Sequence, residues 1–423
     1  MKRVATRIAP LAFGLVVASA FGAVAQEADT DLTDSRNQSV MERVRPGYDA
    51  AGIRAGGFLI FPDASVSESY NDNIYATPTN ETDDFITTLA ANVAVISTWS
   101  RHALNLRGGL SQDFFADNND EDRLDWNVGG DGRIDVTSST ALKGSLNYAQ
   151  LHENRGDPSA PTAASEPVEY KLFTASADIS QRFNRVEVNL GGDYADFNYD
   201  DVTSVLGATI DQDDRDREEY AERLRFSYLV SPDTNVYLEG QLDQRKYDQQ
   251  PPVVALNRDS DGWQIVAGSE FRLTNLAQGG LYVGYQEREY DDATLSDTDG
   301  IAYGANIDWF MTPLTTVVFS AESSVEETTV GGASGYDEDR FGVSVDHELM
   351  RNVILSGGAS YTTDDFNDTP RQDDILGAHA GVKYLLNHNF DIGLGYTYTD
   401  RDSNAAGFDY TRNVVGLTLT GKL

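Results

Sequence analysis

The chain has 423 residues, no cysteine, and 68 Asp and Glu against 32 Lys and Arg, a formal charge of −36. Without cysteine, disulfide-stapled scaffolds, thiolate metal centres and cysteine nucleophiles are excluded. The acidic balance excludes a nucleic-acid partner, because binding phosphates needs clustered cations.

Lys2, Arg3 and Arg7 precede a mostly apolar run, Leu11 to Phe21, and Ala23-Val24-Ala25 stands before Gln26. A positive start, a short apolar stretch and small-x-small residues make residues 1–25 an expected secretory signal peptide, cleaved on export. The run is shorter than the roughly 20 residues of a membrane helix, and no later stretch approaches that length. Residues 26–51 are polar with little periodicity, which predicts a flexible N-terminal segment in the periplasm. From Gly52 to Leu423 the texture is uniform and no linker interrupts it.

That texture is alternation at period two. In Asn389–Asp400, Phe390, Ile392, Leu394, Tyr396 and Tyr398 oppose Asp391, Gly393, Gly395, Thr397 and Thr399. Ile301, Tyr303, Ala305, Ile307, Trp309 and Met311 form one face of Gly300–Thr312, and Val186, Val188, Leu190 and Tyr194 one face near Arg185. Trp126, Val128, Ile134 and Val136 alternate with Asn127, Asp131, Arg133 and Asp135. Such runs are about twice the usual strand length of about 5–6 residues, long enough to cross a bilayer at a tilt.

Short turns are expected at Thr98–Arg101, Thr137–Thr140, Phe183–Arg185, Ser231–Asp233, Thr274–Gln278, Thr312–Thr315, Met350–Asn352 and Asn387–Asn389. Longer acidic loops fall between them: Asn71–Thr82, Ala116–Asp122, Glu153–Val168, Asn198–Asp214 and Tyr247–Ser260. The series continues with Tyr290–Asp299, Glu326–Tyr336, Asp364–Asp373 and Asp400–Asp409. Short turns on one side and long loops on the other predict an all-β fold, a transmembrane antiparallel up-and-down β-barrel of about 18 strands over residues 52–423. The even count puts both termini on the periplasmic side. In hydrocarbon a sheet must close to pair its backbone, and only alternate residues need be apolar. A mean hydropathy of −0.42 is therefore compatible with a membrane location. Tyr70, Tyr220, Tyr361 and Tyr410, near strand ends, suit interfacial girdles.

The face opposite the apolar one carries the candidate channel lining. Its basic members are Arg107, Arg133, Lys143, Arg223, Arg225, Arg272, Arg288 and Arg340. Its acidic members include Asp113, Asp131, Asp135, Glu187, Asp193, Glu239, Asp243, Glu270, Asp308 and Asp346. Two readings are open: a selective charged lining, or a lattice of cross-strand ion pairs that stiffens the wall. The five histidines are scattered, and His152-Glu153 is the strongest catalytic candidate, with an ordinary solvated pair as the simpler reading. The loops at Asp117–Asp122 and Asp211–Asp216 offer oxygen ligands without the spacing of a helix–loop–helix calcium site. Gly108-Gly109, Gly129-Gly130, Gly191-Gly192 and Gly357-Gly358 lie inside strands, where glycine marks bends or close packing rather than a phosphate loop. No catalytic residue, metal or cofactor is expected.

The stretch Arg45-Pro46-Gly47-Tyr48-Asp49 through Gly56-Gly57-Phe58 to Pro62 is followed by Tyr70-Asn71-Asp72-Asn73-Ile74-Tyr75. Asp83-Asp84-Phe85-Ile86 and Trp99-Ser100-Arg101-His102 come next. In order and spacing these resemble the β-barrel porin type 2 group of Gram-negative outer-membrane proteins. The resemblance spans about Gly52 to the C-terminus, with its specific motifs in the first quarter. It implies an outer-membrane location, and members' frequent link to exopolysaccharide loci implies a channel for saccharide or exopolysaccharide export. The alternative is a non-conducting docking barrel whose acidic loops bind cations or extracellular polymer. Expected partners are outer-membrane lipid and lipopolysaccharide, polysaccharide-export components, and the barrel-assembly machinery. That machinery would read the final strand, where Val415, Leu417, Leu419 and Leu423 share a face.

Overall fold

The computed structural model describes residues 38–251, 253–254, 256–273 and 276–423. The expected signal peptide lies outside the described residues. The first six barrel strands are β1 (Phe58–Asn71), β2 (Asp84–Ser97), β3 (Ala103–Phe115), β4 (Arg123–Asp135), β5 (Thr140–His152) and β6 (Glu169–Phe183). They are followed by β7 (Val186–Tyr199), β8 (Arg217–Ser231), β9 (Thr234–Tyr247), β10 (Ser260–Leu273), β11 (Ala277–Tyr290) and β12 (Thr298–Thr312). The last six are β13 (Thr315–Glu327), β14 (Gly335–Met350), β15 (Val353–Phe366), β16 (Gln372–Leu385), β17 (Phe390–Ser403) and β18 (Tyr410–Lys422). Each pairs antiparallel with its sequence neighbours. β1 closes the sheet on β18, with Asp63 opposite Lys422 and Asn71 opposite Val414. No edge is left between them, so the backbone of all 18 strands is paired internally, as a lipid environment requires.

The side-chain alternation assigns the two faces. One face carries Leu106, Val128, Leu190, Leu238, Val283 and Leu417, each about half exposed. Full exposure of such side chains to water would forfeit about 1.5–3 kcal/mol apiece, so this belt is matched to lipid. Above it on the loop side, outward tyrosines donate to carboxylates: Tyr70 to Asp83 at 3.1 Å, Tyr303 to Asp339 at 2.8 Å and Tyr361 to Asp374 at 2.9 Å. A ring that meets lipid below and a charged acceptor above marks the interface.

The eight short turns and nine long connections fall where the alternation places them, but several loops are shorter than expected. β15 runs to Phe366 and β16 starts at Gln372, leaving 367–371 as the loop; β17 continues to Ser403. The acidic residues there are strand ends that project past the membrane. Charge marked the water boundary rather than the end of pairing.

Of the expected flexible segment 26–51, residues 26–37 lie outside the described residues, while part of 38–51 is packed. Val40 is fully buried against Ile354 and Leu385, with Tyr48 packed beside them. Polarity concealed this, because the segment binds charged and apolar groups of the lumen rather than a conventional core. A short strand, Ile53–Ala55, then folds back on Phe58–Ile60 and leads into β1.

Candidate functional site: the charged lumen

Register decides which side chains line the interior, since directly opposed residues share a face. Pairing places Arg107 with Gly129, Arg133 with Lys143, Lys143 with Asp178, and Arg225 with both Asn189 and Glu239. By the same parity Arg223, Arg272, Arg288, Arg340, Asp131, Glu187 and Asp308 stand on the face opposite the lipid belt. All the lining candidates therefore occupy one face.

Most are held in pairs. Arg107 contacts Asp131 at 3.3 Å, Arg133 contacts Asp135 at 2.6 Å, and Arg223 contacts Asp193 at 2.9 Å. Arg225 bridges Glu239 at 2.6 Å and Glu270 at 2.9 Å, and its guanidinium lies 4.1 Å from the centre of the Tyr237 ring. Arg340 contacts Glu338 at 2.8 Å, Arg123 contacts Asp113 at 3.0 Å, and Arg288 donates to Asp243. Glu187 takes Arg182 at 2.5 Å, while Asp308 accepts from Gln278 at 3.0 Å. The geometry thus realises the ion-pair lattice, and the same groups coat the wall with alternating donors and acceptors. The buried Nε atoms of Arg223, Arg272 and Arg288 have no acceptor among the described residues.

Towards the loop side the lumen holds a cavity of about 1050 Å³. Here the sequence reading missed the central groups. Arg245 on β9 reaches Glu327 at the end of β13, four strands away, and Tyr247 donates to the same carboxylate at 2.7 Å. Arg217 contacts Glu219 at 2.7 Å and lies 4.1 Å from the Phe197 ring centre. Arg217 and Arg245 share the inward parity of Arg223 and Asp243, so alternation carried the signal; their closeness to loops masked it. Below them, Tyr237 lies opposite Gly268, and Gly268 opposite Tyr282, which faces Gly304. A Cβ on Gly268 or Gly304 would stand within 2.5 Å of the neighbouring tyrosine ring. The glycines let both rings lie against the wall.

The loop after β5 closes much of this end. Arg155 donates to Glu121 at 3.0 Å, and Glu153 accepts from Arg215 at 2.9 Å. The loop then crosses the mouth. Thr329, beyond β13, donates its amide to Ser159 Oγ at 3.3 Å, and Arg401 on β17 donates to the Gly156 carbonyl at 2.5 Å. Ala164, Val168, Tyr170, Leu172, Phe197 and Tyr199 form the largest buried apolar cluster and fix its base.

His152 contacts Asp125 at 2.8 Å, whereas Glu153 is taken by Arg215. The two neighbours thus belong to separate pairs. In the next loop Asp201, Asp211 and Asp213 bring carboxylate oxygens within 4.8 Å of one another, all exposed. Of these, Asp201 lay outside the acidic run singled out by sequence. Asp117, in the other candidate run, donates its amide to Asp84 at 3.2 Å.

A family model described as Putative beta-barrel porin 2 matches residues 45–423. No curated protein gives a significant match. Among solved structures, the outer membrane protein opdK from Pseudomonas aeruginosa aligns at 10% identity and a TM-score of 0.43, covering 86% of this chain and 99% of that one. OpdO, also from Pseudomonas aeruginosa, aligns at 14% identity and 0.44, covering 86% and 97%. The siderophore receptor PiuA from Acinetobacter baumannii aligns at 9% identity and 0.44, covering 88% and 82%.

Proposed function

We propose that this chain, which belongs to the Putative beta-barrel porin 2 family, is an outer-membrane channel for saccharides that serves saccharide or exopolysaccharide export. That the protein is a porin-like outer-membrane barrel follows from the family and the closed 18-stranded sheet. The cargo is our reading, and one observation carries it: the lumen interleaves tyrosine rings with Arg–carboxylate pairs. Tyr237, Tyr247 and Tyr282 bring aromatic rings to the luminal side, Tyr237 and Tyr247 buried beneath Arg225 and Arg217, while Arg225, Arg245 and their glutamates supply charged donors and acceptors. A sugar has the matching surface, with C–H faces that stack on rings and hydroxyls that hydrogen-bond to both members of an ion pair. Neither a strongly cationic nor a purely apolar solute finds that combination here.

The acidic loops would face lipopolysaccharide, the C-terminal strand would be read by the assembly machinery, and export components would dock on the periplasmic rim. A second reading, a non-conducting docking barrel, is favoured by the loop that crosses the outer mouth.

Planar-bilayer recordings separate the two. The purified protein is expected to carry discrete ionic current that neutral and acidic oligosaccharides block in a concentration-dependent way, while amino acids do not. Discrete current that no saccharide blocks would remove the cargo, and absence of current under every condition would leave the docking barrel.

A further inference from the structure

We infer that residues 39–49 form a built-in latch that narrows the periplasmic mouth of the lumen and must release for full opening. The inference rests on the channel reading above and adds the element that regulates it. The latch is seated on inward-facing groups of four consecutive strands. The Val40 amide donates to Thr316 Oγ1 of β13 at 3.0 Å, and its side chain is buried against Ile354 of β15 and Leu385 of β16. Glu348 of β14 takes two arginines, Arg43 at 3.2 Å and Arg45 at 3.3 Å. Arg43 also donates to the Pro313 carbonyl in the turn between β12 and β13.

The latch is shaped as well as anchored. Arg45-Pro46-Gly47-Tyr48 is a tight turn in which the Tyr48 amide donates to the Arg45 carbonyl at 2.9 Å. Gly47 has φ +92°, the left-handed backbone that glycine adopts without strain at this position of a Pro-Gly turn. Asp49 accepts from the Arg45 amide, and Arg45 Nη2 donates back to the Val40 carbonyl at 2.5 Å. These bonds fold Arg45 towards Glu348. The family match begins at Arg45, so the turn belongs to the region shared with the family.

Its chemistry is that of a releasable contact. A small apolar contact of Val40 and Tyr48, single hydrogen bonds to Thr316 and to the Pro313 carbonyl, and one carboxylate shared by two arginines hold the segment. Loss of either arginine leaves Glu348 the other, whereas loss of both leaves a buried carboxylate unpaired. Gly52, at φ +69°, joins the latch to the short strand Ile53–Ala55 that pairs with β1.

The test uses the full mature chain, which contains no cysteine. Arg43→Ala/Arg45→Ala and a deletion of residues 39–49 are recorded beside wild type, with the heat-modified gel shift confirming folded barrels. Both variants are expected to raise mean conductance about twofold or more, as widening a constriction should. Val40→Cys/Ile354→Cys, joined by a short reducible thiol cross-linker, is expected to hold the low level and to recover on reduction. Equal conductance of wild type and both variants, or failure of the cysteines to cross-link, overturns the latch while leaving the channel standing. If no variant conducts at all, the channel reading falls and takes the latch with it.

Discussion

Arg225 and Arg107 show that luminal ion pairs differ in weight. Arg225 joins the buried Glu239 and the partly buried Glu270 over the Tyr237 ring, so its removal leaves two facing carboxylates without a counter-charge. Arg107 and Asp131 are each nearly half exposed, at 47% and 45%, where water replaces the partner. Arg225→Ala is expected to cost about 2–3 kcal/mol. Arg107→Ala should cost under about 1 kcal/mol. Denaturant unfolding of the barrel from lipid vesicles measures both, and equal losses would refute the distinction. Which face these arginines occupy was legible in the alternation. Which carboxylate each takes was not, because Arg225 chooses between partners on two further strands.

At the scale of elements, the loop from Asp200 to Asp216 illustrates how an acidic connection is fastened. Asp216 accepts from the Tyr199 amide at 2.7 Å and from Asn198 at 2.9 Å, joining the top of β7 to the start of β8. Burial, with Asp213 and Asp248 nearby, pushes its carboxyl up from 3.8 to about 6. Because the folded value is the higher one, protonation favours the closed loop. That contribution is complete below about pH 4 and fades as pH rises through about 6. Amide exchange across residues 200–216, corrected for intrinsic rate, should therefore be slower at pH 5 than at pH 7.5. Asp216→Asn should flatten the difference, and a pH-independent wild-type ratio would count against this account. The sequence exposed the loop as acidic but not Asp216 as buried, since burial comes from Tyr199 and from the neighbouring loop at Asp248.

The whole molecule is a closed wall with partial obstructions at both ends. The loop 153–168 reaches Thr329, eight strands from its own base, and the N-terminal latch lies along β13 to β16. The loop is anchored at the long-loop ends of the strands and the N-terminal segment at the short-turn ends, so in the channel proposed above they would act in series. Replacing residues 155–166 with a short Gly-Ser linker is expected to raise conductance several-fold and to weaken saccharide block, since Arg155, Gly156 and Ser159 then leave the mouth. Unchanged conductance and block would show that the loop does not restrict the path.

Sequence alone determined a strand number of about 18, the side of the turns, the face of the lining charges it singled out, and the lipid belt of Val, Leu and aromatic residues. These follow from a period of two and from the need to pair every backbone group in hydrocarbon, both local or global rules that need no distances. Only the tertiary structure decided what crosses the lumen. Arg245 with Glu327, Ser159 with Thr329, and Arg43 with Glu348 join residues 82 to 305 positions apart. Closure of the sheet brings them together, and no periodicity in the chain records that meeting.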